Sequence, residues 1–111
     1  MTGDLDQDLP FVVRPERDGA LLRITVSGEL DLNTEGELRA AFTAALAEGR
    51  PERTVLDLGG LKFLDSSGLR GVLICRNHAR AAGSSFALAV VPGPVTRLLA
   101  VAGVETWFDY A

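Results

Sequence analysis

The sequence predicts a single α/β domain, with a mixed, mostly parallel sheet of about five strands and helices packed against it in β-β-α-β-α-β-α-β order. Three observations carry this. Short β-branched and apolar runs at Leu21–Ser27, Thr54–Leu58 and Phe86–Val91 are separated by longer stretches with apolar residues at helical spacing. Each helical stretch is closed by a glycine, at Gly49, Gly83 and Gly103. Strands separated by helices favour parallel pairing, because a parallel neighbour is reached only by a long crossover.

At 111 residues the chain is long enough to bury a core within one domain, and 47% hydrophobic with 23% charged residues is a globular composition. The net charge of −4 and the scattered basic residues leave no cationic run for a phosphate backbone, so no nucleic-acid partner is expected. A single cysteine, Cys75, cannot form an internal disulfide and reads as a small core residue. No apolar run approaches the roughly 20 residues that span a bilayer, and the N-terminus is acidic rather than basic. The expected location is the cytoplasm, with no membrane partner.

In chain order, residues 1–9 carry Asp4, Asp6 and Asp8 with little apolar content and read as a mobile leader, leaving 10–111 as the domain. Phe11–Val13 and Leu21–Ser27 form a hairpin around Asp18-Gly19, with a connection longer than two residues. Thr34 and Glu37 match a capping box, and Leu38, Phe42, Ala45 and Leu46 make one apolar helix face. Gly59 and Gly60 read as a turn after the Thr54–Leu58 strand. The next helix, from about Leu69 to Ala82, buries Val72, Cys75, Ala79 and Ala82, while Leu73 falls on the outer side with Arg70, Asn77 and Arg80. Phe86–Val91, unbroken in its apolar character, predicts a central strand covered on both faces. Pro94 suits the first turn of a short helix, and Val104–Phe108 is a weak last strand.

The stretch Leu61-Lys62-Phe63-Leu64-Asp65-Ser66-Ser67-Gly68-Leu69 organises the rest. It lies where a strand hands over to a helix, so free backbone N–H groups and the positive end of a helix dipole meet a carboxylate and two hydroxyls. Phosphate suits that position. Asp and Ser are also ordinary helix caps, and capping alone accounts for their presence. Phe63 and Leu64 are expected to anchor the loop. The Asp31 loop likewise follows a strand and precedes a helix, so both loops are expected at the same end of the sheet.

Catalytic machinery is not legible. A serine nucleophile needs a base, and the one histidine, His78, lies about 18 Å from Ser66 along a helix rising 1.5 Å per residue. Leu64 stands where a nucleophile elbow needs glycine. One Cys and one His make no zinc set, and Asp4, Asp6 and Asp8 lack the glycine and closing glutamate of a calcium loop. No nucleotide-binding glycine motif is present. No cofactor is expected. What remains suits a substrate hydroxyl, to which a kinase brings ATP, metal and base.

Ser27-Gly28-Glu29-Leu30-Asp31, together with Phe63-Leu64-Asp65-Ser66-Ser67-Gly68-Leu69, resembles the STAS domain, and more narrowly the bacterial anti-sigma-factor antagonists. The resemblance runs from about Phe11 to Phe108. It implies partner switching. The dephosphorylated antagonist binds an anti-sigma factor, itself a serine kinase of the histidine-kinase-like ATPase fold, and frees the sigma factor. Phosphorylation of Ser66 releases the antagonist, and a metal-dependent serine phosphatase restores it. Asp31, Asp65, Ser67, Gly68 and Leu69 are the implied partner-binding residues, and no enzyme activity is implied. Arg70-Gly71 departs from the family pattern, which favours a small residue directly after Gly-Leu. The alternative is a STAS scaffold or accessory subunit of a signalling or transport complex, never phosphorylated.

Overall fold

The computed structural model describes residues 10–111, so the leader assigned to 1–9 lies outside the described residues. Strands β1 (Val12–Asp18) and β2 (Leu21–Leu30) form an antiparallel hairpin. Asp18 pairs with Leu21, so the connection is the two residues Gly19-Ala20, shorter than the sequence predicts. The reason is that β1 continues through Pro15, which an edge strand tolerates because nothing need bond its missing N–H. Gly19 supplies the positive φ of 59° that the tight turn demands.

Strands β3 (Arg53–Leu64), β4 (Ser85–Ala89) and β5 (Asp109–Tyr110) complete a five-stranded sheet ordered β1-β2-β3-β4-β5, with every pairing after the hairpin parallel. The crossovers are α1 (Glu35–Ala47), α2 (Ser66–Ala81) and α3 (Gly93–Ala102). Each crossover steps in the same direction along the sheet. Right-handed connections therefore stack all three helices on one face. Leu22, Ile24 and Val26 point into that face and are fully buried, joined by Leu38, Phe42, Leu56, Val72 and Leu88 in one core. Arg23, Thr25 and Ser27 alternate to the other face and are half-buried there. On that face Arg23 pairs with Asp57 across β2 and β3 at 2.6 Å.

The sequence reading of β4 as doubly covered is therefore corrected. Its outward position Ala87 is only half-buried, and alanine is small enough to sit on an open face without disclosing it by pattern. The last strand is also shorter than expected, since Glu105–Trp107 coils into a 3₁₀ turn and only Asp109–Tyr110 pair with β4. Leu73 is partly buried against the core rather than exposed.

The largest departure lies in β3. Gly59 and Gly60 do not turn the chain; they lie inside a strand that runs on to Leu64. The β2–β3 register slips by one residue after Asp57, where Ser27 pairs with Gly60, and again after Leu61, where Glu29 pairs with Phe63. These are bulges in β3. A Cβ on Gly60 would come within 2.7 Å of the Ser27 Cβ, so only glycine lets the two strands stay this close. By continuing, β3 carries the Asp65–Ser66 junction to the end of β2.

Candidate functional site

The site is built where β2 and β3 end together. Asp65, in extended conformation, is the N-cap of α2: its Oδ1 accepts the Gly68 N–H at 2.9 Å, and its carbonyl accepts the Leu69 N–H at 2.8 Å. The Asp65 N–H in turn donates to the Leu30 carbonyl at 3.4 Å. Gly68 presses against the same backbone. A Cβ there would sit 2.9 Å from the Leu30 carbonyl carbon and closer still to its oxygen. The first turn of α2 is thus clamped onto the residue that precedes Asp31, and the two loops do share one end of the sheet.

Capping by Asp65 leaves the serines free of that duty. Ser66 is exposed at the first helical position, Ser67 is half-buried, and Leu69 is buried in the core. Ser66 therefore projects while Leu69 anchors, and α2 begins at Ser66, three residues earlier than its apolar periodicity implies.

Asp31 organises its own loop. Its Oδ1 accepts the Asn33 N–H at 2.9 Å and the Thr34 N–H at 3.2 Å, and its carbonyl accepts the Glu35 N–H at 2.9 Å. The Thr34 hydroxyl donates to the Glu29 carbonyl at 2.7 Å and accepts the Asp31 N–H at 3.0 Å. The expected capping box of Thr34 and Glu37 is accordingly absent, since the Thr34 side chain faces back toward β2 instead of capping α1. Among the described residues Asp31 Oδ2 has no hydrogen-bond donor, so half of this carboxylate remains available.

Exposed apolar side chains lie at this end of the sheet, which the sequence reading missed. Leu32 in the Asp31 loop is 73% exposed, Phe63 49% and Val90 62%. Phe63 does not anchor the loop as expected; the bulge at Lys62 shifts the alternation by one residue and turns its ring outward, opposite Glu29. Val90, directly after β4, has φ of +52°, a conformation unfavourable for a β-branched residue, and its Cγ1 covers Gly59. The β3 bulge that turns Phe63 outward cannot be read from hydrophobic periodicity, and Leu32 and Val90 lie outside regular elements, where no period applies.

Arg70 projects into solvent. Gly71 has a packing cause, because Glu35 of α1 crosses over it, with Glu35 Cβ 3.1 Å from where a Cβ on residue 71 would lie. Glu35 is held there by Arg39, at 2.8 Å. His78 is exposed farther along α2, and Cys75 is buried, its thiol pushed up to about 12 by loss of solvation. Among the described residues no group of His, Cys, Asp and Glu is placed to hold a metal ion. None of their helices is long and apolar enough to cross a membrane.

This end of the sheet carries an exposed hydroxyl at a helix N-terminus, with Asp65 next to it in sequence and the Asp31 loop and exposed apolar side chains at the same end. The chain as a whole is similar to known proteins. A protein of Pseudomonas aeruginosa described as STAS-domain containing is 32% identical over 85% of this chain and 91% of its own length. An anti-sigma F factor antagonist of Paenibacillus polymyxa is 34% identical over 83% of this chain and 79% of its own. The solved structure of an anti-sigma factor antagonist from Mycobacterium paratuberculosis superposes with a TM-score of 0.78 at 27% identity, covering 91% of this chain and 86% of the other. The family described as "Mlab, STAS domain" matches residues 13–108. The family match over residues 13–108 and the two relatives above 30% identity show that this chain belongs to the STAS-domain family.

Proposed function

We propose that this protein is an anti-sigma-factor antagonist, a cytoplasmic regulator without enzyme activity, switched at Ser66. The observation that carries the reading is the division of labour at the start of α2. Asp65 caps the helix and Gly68 clamps it to Leu30, so Ser66 is held outward on a fixed base. A kinase supplying ATP and its own base needs no more from its substrate. The relatives named as anti-sigma factor antagonists support the role.

In this reading the dephosphorylated protein binds an anti-sigma factor that is also a serine kinase of the histidine-kinase-like ATPase fold. Asp31, Asp65, Ser67, Gly68 and Leu69 shape the contact, and Leu32 and Phe63 extend it as apolar anchors. Phosphate on Ser66 adds about −1.5 to −2 charge beside Asp65 and Asp31, which opposes any acidic or apolar matching surface. The helix N-terminus offsets part of that charge, so the fold persists while the partner leaves. A serine phosphatase returns the protein to its binding form.

The test is reconstitution with the ATPase-type anti-sigma factor of the same cell. With ADP the two proteins co-elute. With ATP wild type is phosphorylated and released, while Ser66→Ala stays bound. Release of Ser66→Ala by ATP, or no complex with either nucleotide, contradicts the reading. A second reading keeps the STAS domain and drops the switch: a scaffold or accessory subunit of a signalling or transport complex that is not phosphorylated. It predicts a stable complex indifferent to ATP.

A further inference from the structure

Helix α2 carries three arginines, Arg70, Arg76 and Arg80, and no acidic residue anywhere along Ser66–Ala81. Two of the three have an evident place. Arg80 lies in the last turn, where the negative end of the helix dipole favours a cation, and Arg76 Nε donates to the Trp107 carbonyl at 2.9 Å. Arg70 has neither. It stands one turn inside the positive end of the helix and is exposed, and among the described residues it makes no ion pair.

Carboxylates near the start of α2 have other duties. Glu35, which crosses Gly71, is held by Arg39 through both of its oxygens, at 2.8 and 3.4 Å. Asp65 Oδ1 accepts the Gly68 N–H as the helix cap. Side chains three and four residues apart share a helix face, so the neighbours of Arg70 on α2 are Ser66, Ser67, Leu73 and Ile74. A helical side chain leans toward the N-terminus and covers the turn before its own Cα. The Arg70 side chain can therefore reach over the exposed Ser66, from a Cβ about 5–6 Å away.

We propose that Arg70 is the internal partner of a phosphate on Ser66, closing an ion pair across the first turn of α2; the inference rests on the switching of Ser66 proposed above. A phosphoserine brings about −1.5 to −2 charge and three acceptor oxygens. A guanidinium matches two of these at once through parallel charge-assisted hydrogen bonds. The order along the helix is the favourable one, with the acid four residues N-terminal to the base and nearer the positive end of the dipole. The pair gives phosphorylation a second effect at the contact surface. Besides adding charge at residue 66, it engages the Arg70 guanidinium. The unmodified protein thus offers a free cation one turn below Ser66, and the phosphorylated protein does not.

The test installs phosphoserine at position 66 during protein synthesis, so it needs no kinase and does not depend on whether cells modify this residue. Failure of the switch itself shows separately, as Ser66 unmodified in the native protein. Phosphorus NMR follows the phosphate of the intact protein through its second ionisation, near about pH 6. Arg70→Gln and Arg70→Lys, at an exposed position and checked for fold by circular dichroism, are titrated beside it. The other charged groups at this end of the sheet, Glu29, Asp31, Glu35, Lys62 and Asp65, stay the same throughout, so the comparison isolates residue 70. A cation favours the dianion, so the midpoint is expected about 0.2–0.4 pH units lower with Arg70 intact than in Arg70→Gln, the shift an i,i+4 ion pair supplies. Arg70→Lys is expected to retain most of that difference, and about 1 M sodium chloride to remove most of it. Equal midpoints with Arg70 intact and in Arg70→Gln, a lower midpoint in Arg70→Gln, or a difference undiminished by salt would each overturn the proposal.

Discussion

The clamp between α2 and β2 makes opposite predictions for the same substitution at three glycines. Gly68→Ala adds a methyl carbon 2.9 Å from the Leu30 carbonyl carbon, where unstrained carbon contacts are about 3.5–4.0 Å. Both obstructing atoms are backbone, so relief requires moving α2 off the end of β2. Overpacking of this kind costs about 3 kcal/mol at the upper end of its usual range. Replacing glycine by alanine inside a helix returns up to about 1 kcal/mol. The net loss is about 2 kcal/mol, which lowers Tm by about 8 °C in a domain of this size. Gly36→Ala, in the first turn of α1, meets nothing nearer than an Arg39 guanidinium nitrogen at 3.8 Å. There the helix gain stands unopposed, and Tm rises by about 2–4 °C. Gly71→Ala falls between, because its obstruction is the Glu35 side chain, 3.1 Å away and able to shift; it stays within about 1 kcal/mol of neutral. Thermal and urea unfolding of the three variants decide the matter. A Gly68→Ala protein as stable as wild type, or a Gly36→Ala protein less stable than Gly68→Ala, would refute the clamp.

Other expectations follow from the same structure. Asp65→Ala removes the α2 cap and should cost about 1 kcal/mol, seen as a lower urea midpoint, while Asp65→Asn keeps most of the stability. Phe42→Ala empties the centre of the core, where the ring is 1% exposed and tilted against Phe86 with centroids 6.0 Å apart; a loss of about 3–5 kcal/mol should leave the domain largely unfolded by circular dichroism at 37 °C. Burial raises the Cys75 thiol from 9.0 to about 12, so the unfolded chain releases this proton first and stability should fall as pH rises between those values. Wild type compared with Cys75→Ala in urea titrations across that range isolates the effect, and a native thiol that reacts rapidly with an aromatic disulfide at pH 8 would contradict the burial.

How far the sequence reveals the fold depends on which physical rule fixes each part. The helices of α/β crossovers announce themselves through 3.6-residue spacing and glycine ends, and Leu38, Phe42, Val72, Cys75 and Ala79 all lie in the core as that spacing requires. The alternation of β2 is equally plain, with Leu22, Ile24 and Val26 inward. Periodicity fails where a close backbone approach replaces side-chain packing. Gly59 and Gly60 carry turn chemistry in isolation, yet they permit β3 to pass Ser27 and Val90; the first bulge brings Leu61 inward and the second returns the alternation, so that Leu64 faces in and Phe63 out. Phe63 is therefore exposed although its neighbours suggest an anchor. Thr34 fails for a different reason. Its spacing to Glu37 satisfies a capping box, but the nearer Glu29 carbonyl and Asp31 N–H compete for the same hydroxyl. The Ser66 junction is legible because Asp65 is dictated locally as a cap, whereas the contact that keeps Gly68 free of a side chain comes from Leu30 on β2 and has no local signal.

The fate of the Ser66 hydroxyl decides whether this protein is a switch. Intact-mass and peptide mass spectrometry of the protein recovered from its native cells, beside Ser66→Ala expressed at the same level, measures it. A fraction of wild type heavier by one phosphate is expected, mapped to Ser66 and absent from the variant, with its abundance changing between growth and stress. Unmodified Ser66 under every condition, or phosphate carried at Ser67 instead, would contradict a switch at Ser66.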